Sequence, residues 1–238
     1  MKYIDDYTVK TRVVPFFLTL LPVIFVFYLW APKSFEIKNG IGSAMLLLAI
    51  LLIGAQVGRD SGKKKEYALY KSWGGPPTTR FLRHSNTEFN SVRRTRCHNK
   101  LQQMIPDIKI PSVEEEKNNP KLADEIYEAC VKYIISQTRD IDKYPLLYKE
   151  NVNYGFLRNL WGLKKFGICM SILSIILSCL YIGINWCKGS HITLESIFIM
   201  LLCLVILLSW IFWVKPDKVR IAAEAYAKRL LECCETIK

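Results

Sequence analysis

The sequence lacks the residue patterns on which most enzymes depend. It contains three histidines, and none of the motifs GxSxG, HExxH or GxxxxGK[ST] occurs in it. Its eight cysteines form no CxxC pair, so the sequence indicates neither a zinc site nor a disulfide framework. We therefore predict a protein that is not an enzyme, with no catalytic residues, no metal and no cofactor.

Acidic residues are scarce compared with basic ones. The chain of 238 residues has 33 Lys and Arg against 21 Asp and Glu, for a net charge of +12. The excess is uneven, because residues 59–100 alone carry 11 basic and 3 acidic side chains. A stretch of this kind predicts an anionic partner, which could be a nucleotide, a nucleic acid or a lipid headgroup.

Charge is almost absent from four long apolar runs, at about residues 13–31, 41–57, 166–186 and 194–214. Their lengths are close to the ~20 residues that a transmembrane helix needs. The short links Pro32–Gly40 and Cys187–Thr193 predict two hairpins. The predicted segments are a cytosolic N-terminal segment 1–12, hairpin 13–57, a basic cytosolic domain 58–165, hairpin 166–214 and a C-terminal amphipathic helix 215–238.

The fold class that follows is an all-α membrane protein with four transmembrane helices in two hairpins. Lys and Arg cluster where the spans meet the middle region and the tail, while the two short links carry few of them. By the positive-inside rule, both termini and the middle region are predicted to be cytoplasmic.

The middle region and the tail read as helices. Asn90 or Ser91 predicts one helix start and Asn119-Pro120 another, with residues 107–119 as an exposed loop carrying a solvated acidic run, Glu114–Glu116. The tail helix should begin near Pro216 and contain a Glu224–Lys228 pair. The expected apolar faces are Leu122, Ile126, Ala129, Cys130, Tyr133 and Ile134 in the first, and Ile221, Ala222, Ala225, Leu230 and Cys234 or Ile237 in the second.

The basic stretch surrounds a Gly-Gly-Pro-Pro turn at residues 74–77. Threonine hydroxyls, backbone N–H groups and arginine forks near such a turn suit phosphate oxygens, and Trp73, Phe81 and Phe89 could stack on bases. His84 and His98 lie among the arginines, where we expect them to help bind phosphate. Lipid attraction and pairing with acidic groups of the same chain are the alternatives. The candidate ligand residues are Arg59, Lys63, Lys64, Lys65, Lys71, Trp73, Thr78, Thr79, Arg80, Arg83, His84, Arg93, Arg94 and Arg96; His98 lies among them.

A polar stripe follows one face of the third run, at steps of three and four residues. It indicates either close helix packing or the lining of a pore in an oligomer. Pro15 and Pro22 interrupt the first run and free backbone carbonyls, and Gly54 and Gly58 make one GxxxG match in the second. The stripe consists of Ser171, Ser174, Ser178, Tyr181 and Asn185.

One sequence run resembles a known family. Arg59-Asp60-Ser61-Gly62-Lys63, Trp73-Gly74-Gly75-Pro76-Pro77-Thr78-Thr79 and Leu82-Arg83 are similar to HalA-like membrane effectors of the Hailong anti-phage defence system. These are small bacterial membrane proteins encoded beside a nucleotidyltransferase. The resemblance covers residues 59–83 and the four-span layout.

The resemblance implies a tetrameric ion channel in the bacterial inner membrane. Single-stranded DNA oligomers made by the partner nucleotidyltransferase would keep it closed, and their loss would depolarise the membrane and arrest growth. The oligomer would bind Arg59, Lys63, Trp73, Arg80, Arg83 and their neighbours. The alternatives are an effector that cyclic nucleotides open, a non-conducting membrane anchor for a soluble partner, and a lipid-binding remodeller.

Overall fold

The computed structural model describes residues 5–31 and 37–237, apart from the side chains of residues 37–41 and 43. The regular elements in these ranges are helices. Positions 1–4 of the predicted N-terminal segment and 32–36 of the first predicted link lie outside the described residues. The helices are α1 Asp6–Thr8, a π-helical turn Val9–Val13, α2 Val14–Trp30, α3 Ile37–Trp73, α4 Pro77–Arg80, α5 Ser91–Met104, α6 Val113–Asn118, α7 Pro120–Gln137, α8 Pro145–Cys187, α9 Leu194–Phe212 and α10 Pro216–Cys233.

Four helices are long and apolar enough to cross a membrane, which confirms the prediction of a multi-pass membrane protein. They cover the four predicted apolar runs, except that α2 and α9 end one or two residues short of the predicted bounds. Two of them extend far beyond those runs, because α3 has 37 residues and α8 has 43.

The chain forms two compact units. We call residues 1–65 and 155–218 the membrane unit, and residues 66–154 and 219–238 the polar unit. Helices α3 and α8 each contribute to both. Most of α10, which the sequence analysis treated as a separate tail, belongs to the same unit as the middle region.

The polar unit has one hydrophobic core, to which α10 contributes. Leu230 and Leu231 are fully buried in this core with Phe81, Tyr127 and Ile134. The tail helix begins at Pro216 as predicted, but its buried face was wrong in part. Ile221 is 65% exposed, whereas Ala223 and Ala227 are buried.

Helix α7 shows a similar error of face. Its start is confirmed, because the Asn119 side chain accepts a hydrogen bond from Leu122 N. Cys130 and Ile134 of the predicted face are buried, but Leu122 is exposed, and Tyr127 and Val131 are buried although they were not predicted to be. The predicted stripe was therefore rotated by about one residue, which is about 100° on a helix.

The expectation of an exposed loop over residues 107–119 was wrong in part, because residues 113–118 form a helix, whereas Glu114 and Glu115 are exposed as expected. Ser112 and Glu115 form a capping box that starts helix α6. The third glutamate of the supposedly solvated run, Glu116, is buried. A signature of Ser followed three residues later by Glu was present in the sequence.

The membrane unit depends on glycines for close helix approach. A Cβ atom on Gly162 of α8 would lie 2.5 Å from the backbone nitrogen of Gly62 on α3. A Cβ atom on Gly54 would lie 2.0 Å from the ring of Phe16 on α2. On α8, Gly167 gives room to the indole of Trp210.

Candidate functional site

The Gly-Gly-Pro-Pro turn connects α3 to α4 through two glycines with positive φ, +79° at Gly74 and +125° at Gly75. Such φ values favour glycine over any L side chain. The turn places Arg80 beside the core of the polar unit. The Arg80 guanidinium donates to the carboxylates of Glu88 and Glu224, at 2.8 Å in both cases, and to the Trp73 carbonyl at 3.2 Å.

Arg83 makes a two-pronged contact with Asp124 of α7. Its Nε and Nη2 atoms each lie 2.7 Å from a carboxylate oxygen of that residue. The hydrogen bond to Asp124 raises the pKa of Arg83, so the guanidinium remains charged. Paired fork contacts of this kind are strong and geometrically specific.

His84 and His98 belong to a hydrogen-bond network around Glu116. The Glu116 carboxylate accepts from the backbone nitrogens of His84 and Ser85, from Ser85 Oγ and from the Tyr127 hydroxyl. Burial lowers the pKa of His98 to about 4, and its ring stacks on Tyr127. The buried, neutral His98 does not suit a phosphate site, so that expectation was wrong.

Arg93 and Arg94 also make contacts within the polar unit. Arg93 Nη1 lies 2.5 Å from a Glu232 carboxylate oxygen, and Arg94 Nη1 donates to the Asn86 carbonyl at 2.6 Å. The predicted Glu224–Lys228 pair is absent from the described contacts. Instead Lys228 Nζ lies over the Phe81 ring, 5.6 Å from its centroid.

The aromatic residues that were expected to stack on bases are mostly inside the core. Phe81 and Phe89 are buried and stack on each other, with ring centroids 5.8 Å apart. That expectation was wrong for both of them. Trp73 is half-buried, with its ring edge-on to Tyr70 at 5.8 Å.

The remaining candidate residues fall into two groups. The first group is buried or already in contact with other residues of the chain. Thr79 is buried and Thr78 is half-buried. Lys65 donates hydrogen bonds to the carbonyls of Trp161 and Gly162, and the Arg59 guanidinium lies 3.5 Å from the Asp60 carboxylate. The exposed candidate cations for which the described part of the chain provides no ion pair are Lys63, Lys64, Lys71 and Arg96.

Helix α5 presents the clearest basic surface of the polar unit. It carries four cations, Arg93, Arg94, Arg96 and Lys100, and no acidic residue. Arg93, Arg96 and Lys100 recur at steps of three and four, so they share one helix face. Arg93 and Arg96 are exposed and Lys100 is half-buried. Lys100 was not among the residues expected to bind a ligand, although its spacing from Arg93 and Arg96 is evident in the sequence.

The excess of basic residues is divided unequally between the two units. The polar unit has 18 basic and 15 acidic residues, for a net charge of only +3. Acidic residues after position 100, among them Asp124, Glu224 and Glu232, pair with arginines of the basic stretch. The membrane unit has 15 basic and 6 acidic residues, a net charge of +9.

The polar stripe of α8 faces the interior of the membrane unit. Ser171, Ser174 and Ser178 are fully buried. The first two hydroxyls donate to the carbonyls of Gly167 and Met170 on their own helix. Further along, the Tyr181 ring meets Trp30 of α2 edge-on, and Asn185 Nδ2 donates to the Tyr181 carbonyl. Within one chain the stripe is a packing surface.

Comparisons with protein-family models, with curated proteins and with solved structures find no match for this chain. Among the described residues, no three His, Cys, Asp or Glu side chains are grouped as a metal site requires. Assignment of a function therefore depends on charge, burial and contacts within the chain itself.

Proposed function

We propose that this protein is a bacterial anti-phage effector of the inner membrane, which assembles as a homotetramer and conducts ions under the control of an anionic nucleic-acid ligand. The ligand, an inhibitory single-stranded DNA oligomer made by a partner nucleotidyltransferase, binds the cytosolic polar unit. Its loss opens the channel, depolarises the membrane and arrests growth.

The observation that carries the proposal is the basic face of α5. In a unit with a net charge of only +3, this helix collects cations without any acidic residue of its own. Arg96 has no ion pair in the described part of the chain, and Lys100 has none either. Unpaired cations at helical spacing are suited to successive phosphates of a nucleic-acid strand.

The ion pairs of Arg80 and Arg83 change which residues we expect to contact the ligand. Arg80 and Arg83 hold α4 against α10 and α7, so their charge is already neutralised by carboxylates. Their replacement would disturb folding as well as binding. Arg96 and Lys100 of α5, with exposed Lys71, are the residues through which we expect ligand contact.

Conduction requires more than one copy of the chain. The three serines of the stripe are fully buried in the membrane unit, so the chain itself covers these side chains and they form no open surface. Span α3 is the least covered of the four, with 17% of its most apolar window buried. The side of α3 that includes Leu48, Leu52 and Gln56, all exposed and outside the apolar groove between α2, α3 and α8, is the surface we propose for contacts between copies around a pore.

The test is ion flux from liposomes that contain the purified full-length protein, with and without a short single-stranded DNA oligomer. We expect flux that the oligomer suppresses. Arg96→Gln with Lys100→Gln should weaken suppression about tenfold and make it less sensitive to salt. Lys117→Gln with Lys121→Gln removes the same charge from exposed sites on α6 and α7. The oligomer should suppress ion flux through this variant as it does through the wild type.

Absence of flux from folded, oligomeric protein would contradict the proposal and favour a second function. In that case the chain would be a non-conducting anchor that holds a soluble partner at the membrane through its polar unit. The buried serine stripe favours this alternative. Flux that only cyclic nucleotides alter would instead indicate an effector opened by its ligand.

A further inference from the structure

An apolar groove runs along the membrane unit between α2, α3 and α8. Its volume is about 390 Å³, within the ~300–1,000 Å³ range of ligand pockets. Its walls include Phe16 of α2, Ile50, Ile53 and Val57 of α3, and Leu163 and Phe166 of α8, and it ends at Ser61 and Gly162.

The length of the groove matches one leaflet of a bilayer. Ile50 and Ser61 are eleven residues apart on one helix, which corresponds to ~16 Å at ~1.5 Å per residue. The hydrocarbon core of a bilayer is ~30 Å thick, so one leaflet contributes about half of that. The groove thus has the polarity and length of a site for one acyl chain.

Cations without acidic partners lie at the end of the groove marked by Ser61 and Gly162. The Gly162 carbonyl accepts from Ser61 Oγ at 2.9 Å and from Lys65 Nζ at 2.8 Å, which fixes the Lys65 ammonium group at this end. Lys164 and Lys165 add like charge around Lys65. None of the three forms an ion pair within the described part of the chain.

The three lysines differ in how many hydrogen bonds their ammonium groups already donate within the chain. Lys164 Nζ donates to the carbonyls of Ile211 and Val214, where it stabilises the C-terminal end of α9. Lys65 keeps one donor beyond its two carbonyl contacts, and Lys165 is exposed. The Trp161 ring lies 5.5 Å from both Lys65 Nζ and Lys164 Nζ, as an interfacial aromatic does.

We propose that this groove binds an anionic phospholipid of the adjacent leaflet, with one acyl chain between α2, α3 and α8 and the headgroup phosphate on Lys65 and Lys165. The charge complementarity decides the occupant, because a neutral lipid would leave the ammonium groups uncompensated. The site does not depend on the proposed channel function.

The test is native mass spectrometry of the full-length protein in detergent with added dioleoyl phosphatidylglycerol or dioleoyl phosphatidylcholine. We expect one phosphatidylglycerol molecule per chain, bound at least about tenfold more tightly than phosphatidylcholine, a difference of about 1.4 kcal/mol. Lys65→Met with Lys165→Met should abolish this preference. Lys165→Met alone, at an exposed position, should reduce it without affecting folding.

Lys63→Met with Lys215→Met is the matched control, because it removes two exposed charges of the membrane unit, and Lys63 is two residues, about 200° around α3, from Ser61. If both double variants lose the preference equally, diffuse surface charge explains it and the proposal fails. Glycerol 3-phosphate has the phosphate but no acyl chain; if it displaces the lipid at equal concentration, the site binds free phosphates instead.

Val57→Trp fills the groove and should reduce binding of both lipids, whereas Leu46→Trp, at an exposed position outside the groove, should not. If Val57→Trp leaves lipid binding unchanged but lowers the mass of the oligomer, the groove holds a second copy of the chain. That result would overturn the lipid assignment.

Discussion

Glu116 connects four hydrogen-bond donors in the polar unit. Burial by itself would raise the pKa of this carboxyl, but hydrogen bonds from His84 N, Tyr127 and Ser85 lower it below its usual value. The charged form is therefore favoured in the folded chain. A buried carboxylate with every neighbour donating is a structural centre rather than a solvated acid.

Glu116→Gln is expected to lower the free energy of unfolding by about 2 kcal/mol at neutral pH, because the amide nitrogen cannot accept these bonds. Glu114→Gln, at an exposed position on the same helix, is the control and should change it little. The measurement is thermal or denaturant unfolding of the purified protein in detergent.

The same variant tests a pH dependence. The folded pKa of Glu116 lies below the unfolded value, so the carboxylate contributes its full stability above the unfolded pKa of about 4.3. That contribution is lost as the pH falls through the folded pKa. Unfolding curves of Glu116→Gln should lack this acid-dependent part, whereas an unchanged dependence would show that other groups cause it.

At the scale of elements, the contact between α3 and α8 depends on Gly162. A Cβ atom there would meet backbone atoms of α3, the nitrogen of Gly62 at 2.5 Å and its Cα at 2.7 Å. Backbone cannot rotate away as a flexible side chain can. The two helices therefore have to separate for any larger residue.

Gly162→Ala should consequently lower the melting temperature strongly or prevent isolation of folded protein. Gly183→Ala on the same helix is the matched control, because nothing lies within 4 Å of its added Cβ atom. In a helix interior this control change should be neutral or slightly stabilising. Equal behaviour of the two variants would contradict the close contact.

Helix α2 carries a second element-scale feature, a carbonyl released by proline. Pro15 has no N–H to donate to the Thr11 carbonyl four residues earlier. Asn159 Nδ2 of α8 donates to that carbonyl instead, at 2.7 Å, in a buried position. The proline and the asparagine are therefore coupled across two helices.

A double-mutant cycle measures this coupling. Asn159→Ala should destabilise the wild-type chain by about 1–3 kcal/mol, because a buried carbonyl loses its donor. In a Pro15→Ala background the new N–H can bond within the helix, so the same change should cost less. Additive effects on unfolding in detergent would exclude the coupling.

At the scale of the whole molecule, the C-terminal residues complete the polar unit. Leu230 is fully buried among residues from α5 and α7, whereas Ile221 on the same helix is exposed. Leu230→Ala should lower the free energy of unfolding by about 2–5 kcal/mol, and Ile221→Ala by much less. If both changes are equally mild, α10 is not part of this core.

The sequence by itself determined the four membrane-crossing helices, the starts of α5, α7 and α10, and the all-helical class. Each depends on local signals, which are uninterrupted apolar runs, Asn caps and prolines at first turns. Such signals act over one or two helical turns and need no knowledge of distant residues.

Only the tertiary structure decided which charges are paired and which faces are buried. The sequence predicts Arg83 to be a ligand-binding residue, but in the folded chain it is paired with Asp124, 41 positions away. The sequence allows the serine stripe either to line a pore or to pack against other helices, and only its burial in the folded chain favours packing. Pairing and burial depend on contacts between segments far apart in the chain, and composition and periodicity carry no information about those contacts.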